Sequence, residues 1–133
     1  MKAVRGGAAL LLALMSTAAS AVDDRPLFSQ GRRFDARSGE ALYRSICQGC
    51  HQSQGQGARG AGVYPALAHD ANFASRQYPV IVLLTGRRNM PSFARTLDDA
   101  QIAAVATYVR SHFGNDHPDE ITAAEVAALR PAK

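Results

Sequence analysis

The chain has 133 residues, of which 47% are apolar, with no tryptophan, two cysteines and a formal net charge of +4. This length suits one small domain. The small net charge, without a basic run among aromatic residues, excludes a typical nucleic-acid-binding protein.

Residues 1–21 are predicted to be a secretory signal peptide. Basic residues precede an apolar run, and Ala19-Ser20-Ala21 supplies an A-x-A cleavage pattern. The apolar run is shorter than the about 20 residues that span a membrane, although an uncleaved N-terminal anchor stays an alternative. We therefore expect an exported, periplasmic protein with no membrane span after cleavage, comprising a polar arm over 22–34 and a domain over 35–133.

The first predicted helix is capped by Asp35 or Ser38 and runs to about Ile46. After it comes Cys47-Gln48-Gly49-Cys50-His51, the C-x-x-C-H signature of c-type haem attachment. In this chemistry two thiols add to the two vinyl groups of one haem, and the histidine supplies an axial nitrogen to the iron. We therefore expect one covalent haem c on Cys47 and Cys50, with His51 as an iron ligand.

Three other roles for the cysteine pair are weaker. A zinc site needs about four ligands, and no second Cys/His pair with similar spacing occurs. A thioredoxin-type thiol pair expects a βαβ context, which the surrounding sequence lacks. A disulfide could form in an oxidising compartment, but the adjacent histidine favours haem.

The segment after the motif is predicted to hold loops and one short helix. Residues 52–62 contain four glycines and form a loop, which is not a phosphate loop because it lacks the G-K-[ST] ending and a preceding strand. Pro79 can begin a helix over 80–84 that Gly86 ends. The apolar run alone could equally be a strand, but no partner strand is evident.

Met90 is the only methionine after residue 21 and lies in a polar loop immediately before Pro91. A lone methionine is usually core filler, but this polar setting suits packing poorly. We expect Met90 to be the second axial ligand, because His/Met ligation raises the haem potential and is typical of electron transfer. His69 is the main rival ligand, and His112 and His117 are weaker ones.

Two C-terminal helices are predicted. Asp98 and Gln101 form a capping box for the clearer one, which Gly114 ends. A shorter helix starts at Thr122, with Val126 and Leu129 docking on the domain in an extension that begins at about residue 115. Because Gly39 lacks a side chain, another helix can approach the first helix there. Tyr43 and Tyr108 are expected at that crossing.

In chain order these motifs resemble a class I cytochrome c, an all-α fold of short helices around one covalent haem. The resemblance covers about residues 36–114 and rests on four segments: Gly39-x-x-x-Tyr43-x-x-x-Cys47-x-x-Cys50-His51, Tyr64-Pro65-Ala66-Leu67, Asn89-Met90-Pro91-Ser92-Phe93 and 97–110. It implies that His51 and Met90 bind the iron and that the Pro65 carbonyl orients His51. His69 stands where many relatives have glycine.

The segment 108–126 is similar, more narrowly, to haem domains of cytochrome subunits that serve periplasmic alcohol, aldehyde and sugar-acid dehydrogenases. Those subunits often carry three haem domains, whereas this chain has one C-x-x-C-H motif. The resemblance implies a non-enzymatic electron carrier, or an electron-transfer subunit of a dehydrogenase, that accepts electrons from a dehydrogenase and passes them to an oxidase or another cytochrome of the respiratory chain.

The alternative function is a haem enzyme or a gas-binding sensor, which needs an open axial position on the iron. Met90 distinguishes a carrier from these proteins, because a methionine ligand would fill that position. Arg87, Arg88 and Arg95 lie within nine residues of each other. They predict a face for a redox protein partner around the haem edge, unless they form only a solvated loop.

Overall fold

Helices dominate the computed structural model, which describes residues 34–60 and 62–132. The elements in chain order are α1 (Gly39–Leu42), a π-helical segment (Tyr43–Cys47), α2 (Gln48–His51), β1 (Ala58–Arg59), β2 (Val63–Tyr64), a 3-10 helix (Ala71–Ala74), α3 (Gln77–Thr85), α4 (Asp99–Ser111) and α5 (Ala123–Leu129). The predicted signal peptide and most of the arm lie outside the described residues.

α1, the π-helical segment and α2 follow one another without a break and form the first helix. Ser38 caps it, because its hydroxyl accepts a hydrogen bond from the Ala41 N–H. The helix continues to His51 and ends at Gln52, whose φ of 65° is left-handed. The predicted end near Ile46 was therefore wrong, and the whole C-x-x-C-H motif is helical.

The glycine-rich loop contains a small hairpin that the sequence did not predict. β1 and β2 pair antiparallel, with Ala58 opposite Tyr64 and Arg59 opposite Val63. Two-residue strands are too short to leave an alternating pattern, which explains the omission. Among the described residues, β1 and β2 form the only sheet, and it contains four residues. The prediction of an all-α fold is therefore confirmed.

α3 confirms the choice of helix for the apolar run at 80–84. It begins earlier than predicted, at Gln77, with Pro79 in the first turn, where a missing N–H costs little. Gly86 follows the helix with a φ of 73°, a conformation that favours glycine. It therefore ends the helix, as predicted.

α4 crosses the first helix at the predicted glycine. A Cβ at Gly39 would lie 2.3 Å from the Ala104 carbonyl oxygen, so the two backbones are in direct contact. The rings of Tyr43 and Tyr108 meet at this crossing with centroids 5.7 Å apart. The Asp98–Gln101 capping box is present, but α4 ends at Ser111, because Phe113 already has a φ of 60°.

The C-terminal extension packs on the domain as predicted. Thr122 and Glu125 form a capping box for α5, Val126 is fully buried and Leu129 packs against the core. The buried Arg110 of α4 donates to the Asp119 carboxylate at 3.0 Å, which fixes the start of the extension. Within the described residues, no helix is both long and apolar enough to cross a membrane.

Candidate functional site

The C-x-x-C-H motif lies on the last two turns of the first helix. Cys47 ends the π-helical segment, and Cys50 and His51 belong to α2. In the π-helical turn the Gln48 N–H donates to the Tyr43 carbonyl, five residues back. Single π turns inside helices are frequent at functional sites. Cys47 is half-buried, Cys50 is exposed and His51 is buried.

The His51 ring is held by the backbone of the loop that follows it. Its Nδ1 lies 2.9 Å from the carbonyl oxygen of Pro65. Because a carbonyl only accepts hydrogen bonds, we assign the proton to Nδ1, which donates it to Pro65. Nε2 then keeps its lone pair, which is the form in which a histidine binds a metal.

Gly57 is what allows the loop to return to His51. Its N–H donates to the His51 carbonyl at 3.0 Å. Its φ is 68°, and a Cβ there would lie 2.4 Å from the Tyr64 carbonyl oxygen. Any other residue would therefore push the segment carrying Pro65 away from His51.

A hydrogen bond of Tyr43 joins the middle of the first helix to its C-terminal end. Its buried hydroxyl donates to the carbonyl of Gln52 at 2.7 Å. Burial, with a smaller contribution from Cys47, raises the pKa of Tyr43 to about 12, so the hydroxyl keeps its proton at neutral pH. The sequence placed Tyr43 at the helix crossing but gave no signal for this hydrogen bond, because Gln52 could be located only once the helix end was known.

The cysteines do not resemble a redox-active thiol pair. Burial, with a smaller effect of Cys50, raises the pKa of the Cys47 thiol to about 12. Reactive thiols have lowered pKa values, because the thiolate is the nucleophile. The zinc alternative also lacks support, since the described part of the chain contains no group of three or more His, Cys, Asp or Glu side chains able to hold a metal ion.

Met90 lies on a separate loop that is anchored to the end of α3. Arg87 and Met90 exchange two backbone hydrogen bonds of 3.0 Å, and the Phe93 N–H donates to the Leu83 carbonyl at 2.8 Å. The Met90 side chain is half-buried against the core. The hydrogen bonds of the described residues thus join His51 to Pro65, and join this loop to α3.

The rival histidines have other contacts. His69 is exposed, and its ring lies so close to Gly114 that a Cβ on Gly114 would be 2.0 Å from the His69 Cε1. The backbone N–H of His69 donates to the Phe113 carbonyl. The exposed His112 stacks on Tyr108, with ring centroids 4.0 Å apart. The His117 N–H donates to the Arg110 carbonyl.

The residues fit a haem. Several apolar side chains pack against the core yet stay only partly buried: Ile46, Cys47, Leu67, Tyr78, Met90 and Phe93. They come from the first helix, from the segment after the hairpin, from α3 and from the loop over residues 86–95, which we call the Met90 loop. A flat apolar group attached at Cys47 and Cys50 would cover such side chains, and the free Nε2 of His51 is the donor that iron requires.

This chain resembles known cytochromes. Residues 34–109 match the family described as "Cytochrome C oxidase, cbb3-type, subunit III". The chain is 36% identical over 119 residues to cytochrome c-552 of Thermus thermophilus, covering 74% of this chain and 78% of that protein. It is 30% identical over 82 residues to cytochrome c6 of Diacronema lutheri, covering 60% of this chain and 99% of that protein.

The chain is also similar to a cytochrome subunit of a dehydrogenase. It is 38% identical over 92 residues to the fructose dehydrogenase cytochrome subunit of Gluconobacter japonicus, and this match covers 58% of this chain. The match spans only 19% of the length of that protein.

Proposed function

The chain belongs to the cytochrome c family and is an electron carrier, and we propose that it holds one covalent haem c whose iron is bound by His51 and Met90. The hydrogen bond between His51 Nδ1 and the Pro65 carbonyl carries this proposal, because it fixes the tautomer that leaves Nε2 free. Cys47 and Cys50 would hold the haem through thioether bonds.

When bound, the haem supplies one-electron redox chemistry at its iron. The chain supplies the rest. The Pro65 carbonyl orients the His51 ring and raises its basicity. The loop of Met90 is anchored to α3 by the hydrogen bond from the Phe93 N–H to the Leu83 carbonyl. A thioether ligand raises the potential of the iron.

A carrier is favoured over a haem enzyme or gas sensor. The three relatives described above are two cytochromes c and a cytochrome subunit, which supports an electron-transfer protein rather than an enzyme. An open axial position would require Met90 to stay away from the iron. Met90 is the only methionine of the described residues, and its loop is hydrogen-bonded to α3, so it is the side chain that we expect to close this position.

For the electron donor we propose a periplasmic dehydrogenase, and for the acceptor a cytochrome or oxidase of the respiratory chain. The similarity to the fructose dehydrogenase cytochrome subunit and to the gluconate 2-dehydrogenase cytochrome c subunit of Pantoea cypripedii supports the donor. The signal peptide predicted over residues 1–21 supports the periplasmic compartment, because c-type haem is attached to proteins on the exported side of the bacterial membrane.

The test is expression of the full chain in a host with haem-maturation machinery. The mass should show one added haem and loss of residues 1–21, and the ferric protein should show the weak far-red band of a sulfur–iron bond. Met90→Ala should abolish this band and open the iron to carbon monoxide in the ferrous state, whereas the control His69→Ala should retain it. A mature mass without haem would refute the cofactor, and a far-red band that survives Met90→Ala would refute the ligand.

A further inference from the structure

We propose that the Met90 loop, residues 86–95, is the docking face for an acidic surface of a redox protein, and that Arg88 is retained there for its charge at the expense of backbone strain. This inference rests on the proposed function. It goes further in two ways: it states that the partner surface is acidic, and it names Arg88 as the residue that favours such a partner.

Charge is divided unequally along the chain. Residues 41–97 contain six arginines and one acidic residue, Asp70, which gives a net charge of +5 (6 − 1). Residues 98–130 contain six acidic residues and two arginines, which gives a net charge of −4 (2 − 6). The half of the sequence that carries both His51 and Met90 is therefore the positive one.

The arginines of the Met90 loop have exposed charges, with no carboxylate partner among the described residues. Arg87, Arg88 and Arg95 are exposed. Across 34–60 and 62–132, no carboxylate lies within ion-pair distance of any of them, whereas other arginines of the domain, such as Arg76 and Arg110, have carboxylate partners. Their charge is thus available to an approaching molecule.

Arg88 occupies a backbone position that favours glycine. The paired hydrogen bonds between Arg87 and Met90 enclose a two-residue turn made of Arg88 and Asn89. Arg88 has a φ of 53°, and a positive φ at the first central residue of such a turn is typically a glycine position. A long cationic side chain at this place strains the backbone and puts a charge at the tip of the loop that carries Met90.

Apolar surface adjoins these charges. The Arg87 guanidinium reaches to 3.4 Å from the Tyr78 hydroxyl on α3. Ile81 is three residues after Tyr78, hence on the same side of α3, and it is 43% exposed. Pro91 is exposed on the loop itself. An exposed apolar centre with a charged rim is the usual composition of a protein–protein contact.

A protein with a local acidic patch fits better than an extended anionic surface. Residues 34–132 contain nine arginines and nine acidic residues, so the domain has no net positive charge (9 − 9) that would hold a membrane or nucleic acid across much of its surface. A small acidic patch can instead meet the loop alone, which agrees with the small and transient contacts of electron-transfer proteins.

The experiment compares Arg88→Gly with Arg59→Gln in the haem-loaded protein. Arg59 is also exposed but lies on the hairpin strand β1, so it controls for loss of one charge elsewhere. Ferrous protein is oxidised in a stopped-flow instrument by anionic hexacyanoferrate(III) or by cationic tris(1,10-phenanthroline)cobalt(III). Binding of poly-L-glutamate, which imitates an acidic protein surface, is measured by calorimetry in parallel and does not depend on the redox state.

Arg88→Gly should slow oxidation by the anionic probe about two- to fivefold at low salt, with the difference fading as salt rises, because exposed charges mainly steer encounter. It should also weaken poly-L-glutamate binding and raise the thermal midpoint, since glycine relieves the strain. Arg59→Gln should change the anionic rate less than Arg88→Gly does.

Four results would overturn the proposal: unchanged anionic rates in Arg88→Gly, equal effects of the two variants, a lower thermal midpoint in Arg88→Gly, or binding to phosphatidylglycerol vesicles without binding to poly-L-glutamate. The last result would assign the loop to a membrane. Absence of haem in the wild-type mass would instead refute the proposed function, and poly-L-glutamate binding would still test the loop.

Discussion

Replacing Gly39 by alanine should loosen the crossing of the first helix and α4. The added Cβ would lie 2.3 Å from the Ala104 carbonyl oxygen and 2.5 Å from the Tyr108 Cβ, whereas ordinary contact begins at 3.4 Å. The helices must therefore move apart by about 1 Å, since both opposing atoms belong to or adjoin the backbone of α4. Overpacking of this kind typically costs 1–3 kcal/mol.

Alanine also has the higher helix propensity, which returns at most about 1 kcal/mol. We therefore expect a net loss of about 1–2 kcal/mol, equivalent to a decrease of roughly 5–15 °C in the thermal midpoint of a domain of this size. Circular dichroism of the ferric protein measures it.

Gly60→Ala is the control, because a Cβ at Gly60 has no atom within 4 Å and this glycine lies outside the haem-attachment motif. This variant should be as stable as the wild type or slightly more so. A thermal midpoint of Gly39→Ala equal to that of Gly60→Ala would show that the helices do not meet as closely as described.

Two further outcomes follow from hydrogen bonds. Tyr43→Phe removes the donor to the Gln52 carbonyl and should cost about 0.5–1.5 kcal/mol in thermal unfolding, whereas Tyr108→Phe, in the same aromatic cluster, should cost less; equal losses would contradict the role of the hydroxyl. Hydrogen bonds from the Arg110 side chain and from the Thr122 backbone hold the pKa values of Asp119 and Glu125 at about 2, below ordinary values of 3.8 and 4.5. Their contribution to stability is therefore present above about pH 4.5 and is lost as the pH falls towards 2, so Asp119→Asn should flatten the acid-unfolding curve; a curve of unchanged slope would contradict this.

The two C-terminal helices were predictable because each begins with a local signal. Asp98 with Gln101, and Thr122 with Glu125, are capping pairs whose partners are three residues apart, so they can be recognised without knowledge of the fold. Gly39 and Tyr43 lie in one short stretch of the first helix, and their packing against α4 follows from the absent side chain and the adjacent ring.

Other features depend on residues far apart or on the backbone. The end of the first helix was missed because Gln52 adopts a left-handed conformation that its residue type does not require. The hairpin was missed because its strands are two residues long. The His51–Pro65 contact was expected only from family resemblance, since the donor and acceptor are 14 residues apart and one of them is a carbonyl that every residue has.

The buried Arg110 sets a condition on how this unit can be moved between proteins. Its guanidinium donates to the Phe73 carbonyl, to the Asp119 carbonyl and to the Asp119 carboxylate, and its exposed fraction is 1%. The family match stops at residue 109, before this arginine and its counter-ion. A fusion or domain duplication cut at Gly114 would thus transplant a buried cation without its anion, at a cost of several kcal/mol. Because α5 also buries Val126, and Arg130 donates to the Asp99 carboxylate, the smallest portable module of this type extends through Arg130. A tandem array built from it needs its linkers after Arg130 rather than after α4.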